Sequence, residues 1–215
     1  MNVKIVASHP GIDVGPDGAS AQCLEDISCF RSIPNMVVIS PCDPIEMAQA
    51  TKAILDYVGP VYMRTGRSNT KRVLDNSYKF EIGKGKVLKD GEDVTIIACG
   101  VEVARALEAA ESLQNNGISA RVVNMSTIKP IDNDILIKCA KETGAIVTAE
   151  DHNIIGGLGG AVAESLAKNF PTPIEFVGVQ DIFGESAEPE ELSEKYCLTA
   201  EYIVNAAKNA IKRKV

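Results

Sequence analysis

Short apolar runs alternate with amphipathic stretches along the whole chain, the order expected of strands separated by helices in a layered α/β fold. Val3 to Ala7 reads as a first strand, and Met36 to Ile39 as a second. Between them lies SHPGIDVGPDGASAQ, residues 8 to 22, too rich in glycine and proline for a regular helix or strand. Ser20 is placed to cap a helix reaching about Arg31, with Leu24 and Ile27 on one face. Asp43-Pro44-Ile45-Glu46 combines an N-cap, a proline at the first helical position and a glutamate three residues after the cap. Met47, Ala50 and Ile54 continue that helix, Gly59-Pro60 ends it, and Val61 to Met63 forms a third strand.

The pattern fails between residues 66 and 85, GRSNTKRVLDNSYKFEIGKG, which are polar and glycine-punctuated and read as a linker. Past it the alternation resumes. Val94 to Ala98, Ala120 to Val123, Ala145 to Ala149 and Ile174 to Val177 read as strands. Val103, Leu107, Ala110 and Leu113 make a helical stripe stopped by Asn115-Asn116-Gly117. Asp132 starts a further helix, GGLGG leads into one ending near Lys168, and Thr199 caps the last. GESAEPEELSE, residues 184 to 194, reads as a surface loop with a short helical turn. The divisions are a short first domain over 1–65, a linker over 66–85 and a complete small α/β domain over 86–215.

Composition narrows the function. A net charge of −7 over 215 residues argues against nucleic acid or an anionic membrane as a general partner. No apolar run approaches the roughly 18 residues of a membrane span, and no signal-peptide pattern opens the chain. The six cysteines are scattered without a Cys-x-x-Cys pair, which predicts free thiols, no zinc site and a cytoplasmic protein. Without tryptophan, and with aromatics at 5%, a base-stacking surface is not expected.

Three places carry candidate chemistry. The 8–22 loop follows a strand and precedes a helix, where open α/β sheets put ligands. His9 there offers a donor or acceptor to a sugar-like oxygen, and Asp17 an acceptor to a hydroxyl. The bland alternative is a polar surface turn. In GPVYMRTGRSNT, residues 59–70, Arg64 lies at a strand's carboxyl end, suited to gripping phosphate or to pairing with an exposed carboxylate. EDHNIIGGLGG, residues 150–160, lacks the Gly-x-Gly-x-x-Gly register, and its acidic residues would repel a pyrophosphate; its glycines suit tight strand-to-helix packing, and His152 a structural hydrogen bond. GKGK, residues 83–86, is not a phosphate loop, because no Ser or Thr follows the lysine.

Taken together, these segments resemble transketolase over nearly the whole chain. SHPGIDVGPDGASAQCLEDISCFRSIPNM is similar to the family's pyrimidine-binding domain, and PVYMRTGR to its substrate-phosphate strand. VTIIACGVEV, STIKPID and TAEDHNIIGGLGGAVAE are similar to its C-terminal domain. The resemblance implies a partial thiamine diphosphate-binding fold followed by a Rossmann-like domain with a largely parallel sheet. It implies ketol transfer between a ketose phosphate and an aldose phosphate, with His9 touching donor hydroxyls and the covalent intermediate. It also implies that Asp17 reads the configuration at C2, and that Arg64 binds the sugar's phosphate.

Two departures qualify the match. Where the family carries His or Gln after Asp-Gly-x-[Ser/Thr], this chain has Ala21, which neither donates nor accepts through its side chain. The Gly-Asp-Gly segment that holds metal and diphosphate, and the glutamate that activates the coenzyme's pyrimidine, are not found. The chain thus resembles the C-terminal third or so of a full enzyme, or a shortened C-terminal subunit of a split one. Thiamine diphosphate and a divalent cation, Mg or Ca, are then expected mainly on a partner carrying the N-terminal section. The isolated chain is expected to be inactive and, with apolar sheet surface exposed, to form homo-oligomers. Other readings are a deoxyxylulose-phosphate synthase section, a 2-oxo acid dehydrogenase beta section, or a non-catalytic dimerisation module.

Overall fold

The computed structural model describes residues 1–214. Strand β1 (Lys4–Ser8) leads into a 3-10 segment over Ile12–Asp17, then α1 (Asp26–Ser32), β2 (Val37–Ile39), α2 (Pro44–Asp56) and β3 (Val61–Thr65). The rest comprises β4 (Lys86–Lys89), β5 (Val94–Ala98), α3 (Glu102–Asn115), β6 (Ala120–Asn124), β7 (Thr127–Lys129), α4 (Asn133–Thr143), β8 (Ile146–Asn153), α5 (Leu158–Asn169), β9 (Ile174–Val179), α6 (Pro189–Lys195) and α7 (Ala200–Lys212). Two mostly parallel sheets result, ordered β1-β3-β2-β7 and β4-β6-β5-β8-β9. The expected α/β class is therefore present, with one sheet in each half of the chain apart from β7. Among the described residues no helix is long and apolar enough to cross a membrane.

The apolar runs become central strands because both faces are covered. All five residues of β5 and of β6 are buried, as near-continuous apolar sequence in a parallel sheet requires. The start of α2 forms as its sequence dictates: the Asp43 side chain accepts from the Glu46 amide at 2.9 Å, with Pro44 at the first position. Asn115-Asn116-Gly117 also stops α3, with Gly117 at φ 75° and its amide donating to the Gln114 carbonyl.

Several expectations need correction. Ser20 caps nothing: residues 18–25 are turns, and α1 starts only at Asp26 after Glu25. The middle of the 8–22 stretch, read as a loop without a helix or strand, winds into the 3-10 segment. Thr199 stands at the N-cap of α7, but its hydroxyl is buried without a partner. Strand β8 runs on to Asn153, through Glu-Asp-His, because β9 pairs alongside it as far as Val179. Strands β4 and β7 lack an apolar alternation long enough to be read from sequence.

Strand β7 matters most for domain organisation. It belongs to the second half of the chain yet pairs antiparallel with β2, Val38 opposite Lys129, and so extends the first sheet. The segment between the halves is also packed down, with Leu74 and Tyr78 buried. One carboxylate ties these parts together. Glu46 of α2, fully buried, accepts from Tyr78 Oη at 2.5 Å, Asn124 Nδ2 at 2.9 Å, Ser126 Oγ at 2.7 Å and the Cys42 amide at 2.8 Å. At the other end of the first sheet β1 is an edge strand, with Ile5 38% and Val6 50% exposed, which is the apolar sheet surface expected there.

Replacing Glu46 by Gln turns one acceptor oxygen into a donor facing other donors, so Glu46→Gln is expected to lose about 3 kcal/mol of stability. Chemical denaturation followed by circular dichroism measures this; an unchanged midpoint would remove Glu46 as the tie.

Candidate functional site

Parallel pairing decides where the loop chemistry goes. Strands β1 and β3 are neighbours with Ser8 opposite Thr65, so residues just past either strand emerge at the same carboxyl edge of the sheet. His9 follows β1 with φ 65°, an uncommon conformation for a side chain larger than glycine and one found disproportionately at functional sites. The loop then closes on itself: the Gly11 amide donates to the Cys23 carbonyl at 2.8 Å and the Cys23 amide to the His9 carbonyl at 3.3 Å. Asp17, at the end of the 3-10 segment, brings Oδ2 to 3.7 Å from His9 Nε2. Both side chains are a little over one third exposed, at 38% and 39%. His9 and Asp17 therefore share one accessible edge.

Arg64 does not join them. Its side chain is buried and forks onto Asp26, Nε to Oδ2 at 2.7 Å and Nη2 to Oδ1 at 2.5 Å. Nη1 donates to the Asp151 carbonyl at 2.9 Å. Burial works to raise the Asp26 carboxyl, but Arg64 and the hydroxyl of Tyr62 overcome it and hold Asp26 below the usual range. A guanidinium so engaged is a structural ion pair, with its bidentate fork already taken by Asp26 and not open to a phosphate.

The accessible guanidinium is that of Arg67, two residues past β3 and 42% exposed. Its Nε is 3.4 Å from Asp17 Oδ2, and Nη1 donates to the Val14 carbonyl at 3.2 Å. The neighbouring Ser68 hydroxyl donates to the Asp13 carbonyl at 2.7 Å. Reading PVYMRTGR by strand alone favoured Arg64; the available signal was Gly66, which ends the strand and frees the next arginine. Ala21 lies in a turn near the end of the loop and is partly buried.

Behind the loop is a buried polar layer. Asp151 accepts from the amides of Ile12 at 2.9 Å and Asp13 at 3.2 Å. Glu150 accepts from Leu158 and Gly159 at 2.6 and 2.8 Å, occupying the N-terminus of α5 where a dinucleotide phosphate would otherwise sit. Gly157 and Gly159 are required by close approach: a Cβ would collide with the Glu150 carboxylate and the Phe176 ring respectively. His152 is buried, bonded through Nδ1 to the Asn153 carbonyl and accepting at Nε2 from the Ser28 amide at 3.4 Å. Burial, with the charge of Arg64 behind it, pushes His152 down to about 4. Burial likewise raises Glu150 to about 7, against the two amides that favour its charge.

Comparison with known proteins decides the family. The transketolase pyrimidine-binding domain matches residues 1–72, and the transketolase C-terminal domain residues 83–203. The chain belongs to the transketolase family. A protein of Methanocaldococcus jannaschii named for a transketolase C-terminal section is 50% identical over 216 residues, covering 99% of this chain and 67% of that protein. The 6-deoxy-6-sulfo-D-fructose transketolase subunit SqwH of a Clostridium species is 45% identical, covering 100% of this chain and 66% of that subunit. A solved structure titled as a split gene transketolase, inactive beta4 tetramer, is 48% identical with a TM-score of 0.94, covering 100% of this chain and 69% of that one. The transketolase chain described here thus spans about two thirds of the length of these relatives.

Transketolases use thiamine diphosphate with a divalent cation, which needs carboxylate or amide ligands for the metal and a carboxylate beside the pyrimidine. The buried carboxylates behind this loop do not fit that task. Asp151 and Glu150 are held by backbone amides, Asp26 by Arg64, and Glu102 by Arg105. Among the described residues no group of three or more His, Cys, Asp or Glu is arranged to hold a metal ion.

Two measurements check this assignment. Arg64→Met strands the Asp26 carboxylate in the interior and is expected to cost about 3–5 kcal/mol in unfolding free energy, whereas exposed Arg67→Ala stays within about 0.5 kcal/mol; equal losses would place the two arginines wrongly. In nuclear magnetic resonance, the His152 ring is expected to keep its neutral-form shift as pH falls and to titrate at about 4, well below the roughly 6.5 of a free imidazole. Because its folded value lies below the ordinary one, the stability tied to neutral His152 is complete above about pH 6.5 and is lost as pH drops through the folded value.

Proposed function

We propose that this chain is the sugar-gripping section of a two-part transketolase. The reaction is transfer of a two-carbon ketol unit from a ketose phosphate to an aldose phosphate, with thiamine diphosphate and its cation carried by a partner polypeptide. The observation that carries the reading is the accessible line of His9, Asp17 and Arg67 along the carboxyl edge of the first sheet. His9 holds donor hydroxyls near the reacting carbons, Asp17 accepts from a hydroxyl and so selects its configuration, and Arg67 grips the anionic end of the sugar. This gives Arg67 the role first assigned to Arg64, since a guanidinium needs free donors to grip an anion bidentately. The name of the Clostridium relative contains a sulfonated sugar, so the anionic end is to be tested both as phosphate and as sulfonate.

In the reconstituted assembly, Arg67→Ala is expected to raise KM for the anionic sugar by about ten- to a hundredfold. Steady-state kinetics with sugars bearing and lacking the anionic group measure this, and the variant should lose most of its preference for the charged sugar. Asp17→Ala is expected to reduce discrimination between C2 epimers. The purified chain supplied with thiamine diphosphate and magnesium should show no turnover; measurable turnover would refute the division of labour. If Asp17→Ala and Arg67→Ala both leave kinetics unchanged, the non-catalytic module is the better reading.

A further inference from the structure

The sugar-facing loop is not self-supporting. Its 3-10 segment starts after Gly11, which has φ 75° and no side chain with which to cap it. The free amides at its start, those of Ile12 and Asp13, both point at the carboxylate of Asp151, 138 or 139 residues away in sequence. Asp151 sits at the carboxyl end of β8, beside β5 in the second sheet. After β5 the chain continues toward β6 and after β8 toward β9, on opposite sides, which makes the carboxyl ends of these two strands the kind of switch point where doubly wound sheets usually bind a ligand. Here the loop occupies that point, and the space left beside Asp151, Asp13 and Arg64 is about 30 Å³, room for about one water.

The fit is close on both sides. A Cβ on Gly11 would run into the Asp151 carboxylate, so glycine is demanded by contact as well as by backbone angle. The Asp151 main chain is itself pinned, because its carbonyl accepts from Arg64. The far end of the loop rests on the same half of the molecule: Gln22 Nε2 donates to the Glu185 carbonyl at 2.9 Å, and Gly15 lies against Pro189.

We propose that Asp151 is a positioning residue for the sugar site: its carboxylate, projecting from the second sheet, caps the loop's 3-10 segment and holds His9 and Asp17 in their sugar-facing geometry. It touches no substrate and acts through the Ile12 and Asp13 amides. The part of this inference that concerns sugar rests on the functional reading above; the clamp itself does not. In this arrangement the C-terminal domain sets the precision of a site whose accessible residues all lie in the other domain.

Hydrogen exchange on the purified chain separates a local clamp from general stability. In Asp151→Asn the side chain keeps its shape but turns an amino group toward one of the two amides. The Ile12, Asp13 and Val14 amides are expected to exchange about tenfold or more faster, with those of β5 and β8 unchanged. A second test is Gly11→Ala, whose effect on the same amides should shrink in an Asp151→Ala background, because the collision is relieved. In the reconstituted assembly, Asp151→Asn should raise sugar KM about tenfold or more while leaving apparent affinity for thiamine diphosphate unchanged. Wild-type exchange in the loop, equal acceleration of loop and core, or an unchanged sugar KM would each overturn the proposal. A wild-type assembly with no ketol transfer would overturn the functional reading, and the exchange result would still decide the clamp.

Discussion

A carboxylate withdrawn from water must find enough donors to replace its hydration, or its burial costs several kcal/mol. Asp26, Glu46, Asp151 and Glu150 meet that demand, most of them with donors from a distant part of the sequence. Asp26 meets Arg64 of β3 and Tyr62 beside it. Glu46 collects donors from the connecting segment and from the second half of the chain. Asp151 reaches back to the 3-10 segment, and Glu150 caps the helix that follows its own strand. Such contacts are directional, so the two sheets meet in one arrangement instead of sliding over one another as an apolar seam would allow.

That seam explains why the accessible chemistry is ordered. Loops past the ends of parallel strands are free to vary because the sheet does not specify their path. In this chain the 8–22 loop is held from beneath by Asp151, from the side by Arg67 and Ser68, and at its far end through Gln22. His9 and Asp17 stay exposed while the backbone that carries them is fastened to two sheets. The division also suits the proposed site completed by another polypeptide: this chain keeps His9 and Asp17 accessible on a fastened backbone, while its buried carboxylates are committed to its own fold.

Much of the fold was legible because local rules agreed with tertiary packing. Asp43-Pro44 and the Asn116-Gly117 stop specify helix ends through hydrogen bonds within a few residues, and these formed as expected. The central strands were equally plain, since a strand buried on both faces is an uninterrupted apolar run. Strands β4 and β7 were invisible for the opposite reason: each is short and exists only because a partner strand lies alongside. Ser20 failed as a cap because Gly15, Pro16 and Gly18 wind the backbone into a tight segment and turns, delaying the helix to Asp26.

The same division runs through the site. Sequence alone determined the layered α/β class, the family, and the polar loop that presents His9 and Asp17, because these depend on residue type, period and motif order. Only the tertiary structure decided which arginine is accessible. Arg64 and Arg67 are three positions apart and chemically identical, and what separates them is Asp26, thirty-eight residues away from Arg64, reached by its side chain in a buried, bidentate pair. It also brought the Asp151 carboxylate to the amides of Ile12 and Asp13 in the loop. A carboxylate's role follows from the donors that surround it, and those donors are brought together by folding, not by proximity along the chain.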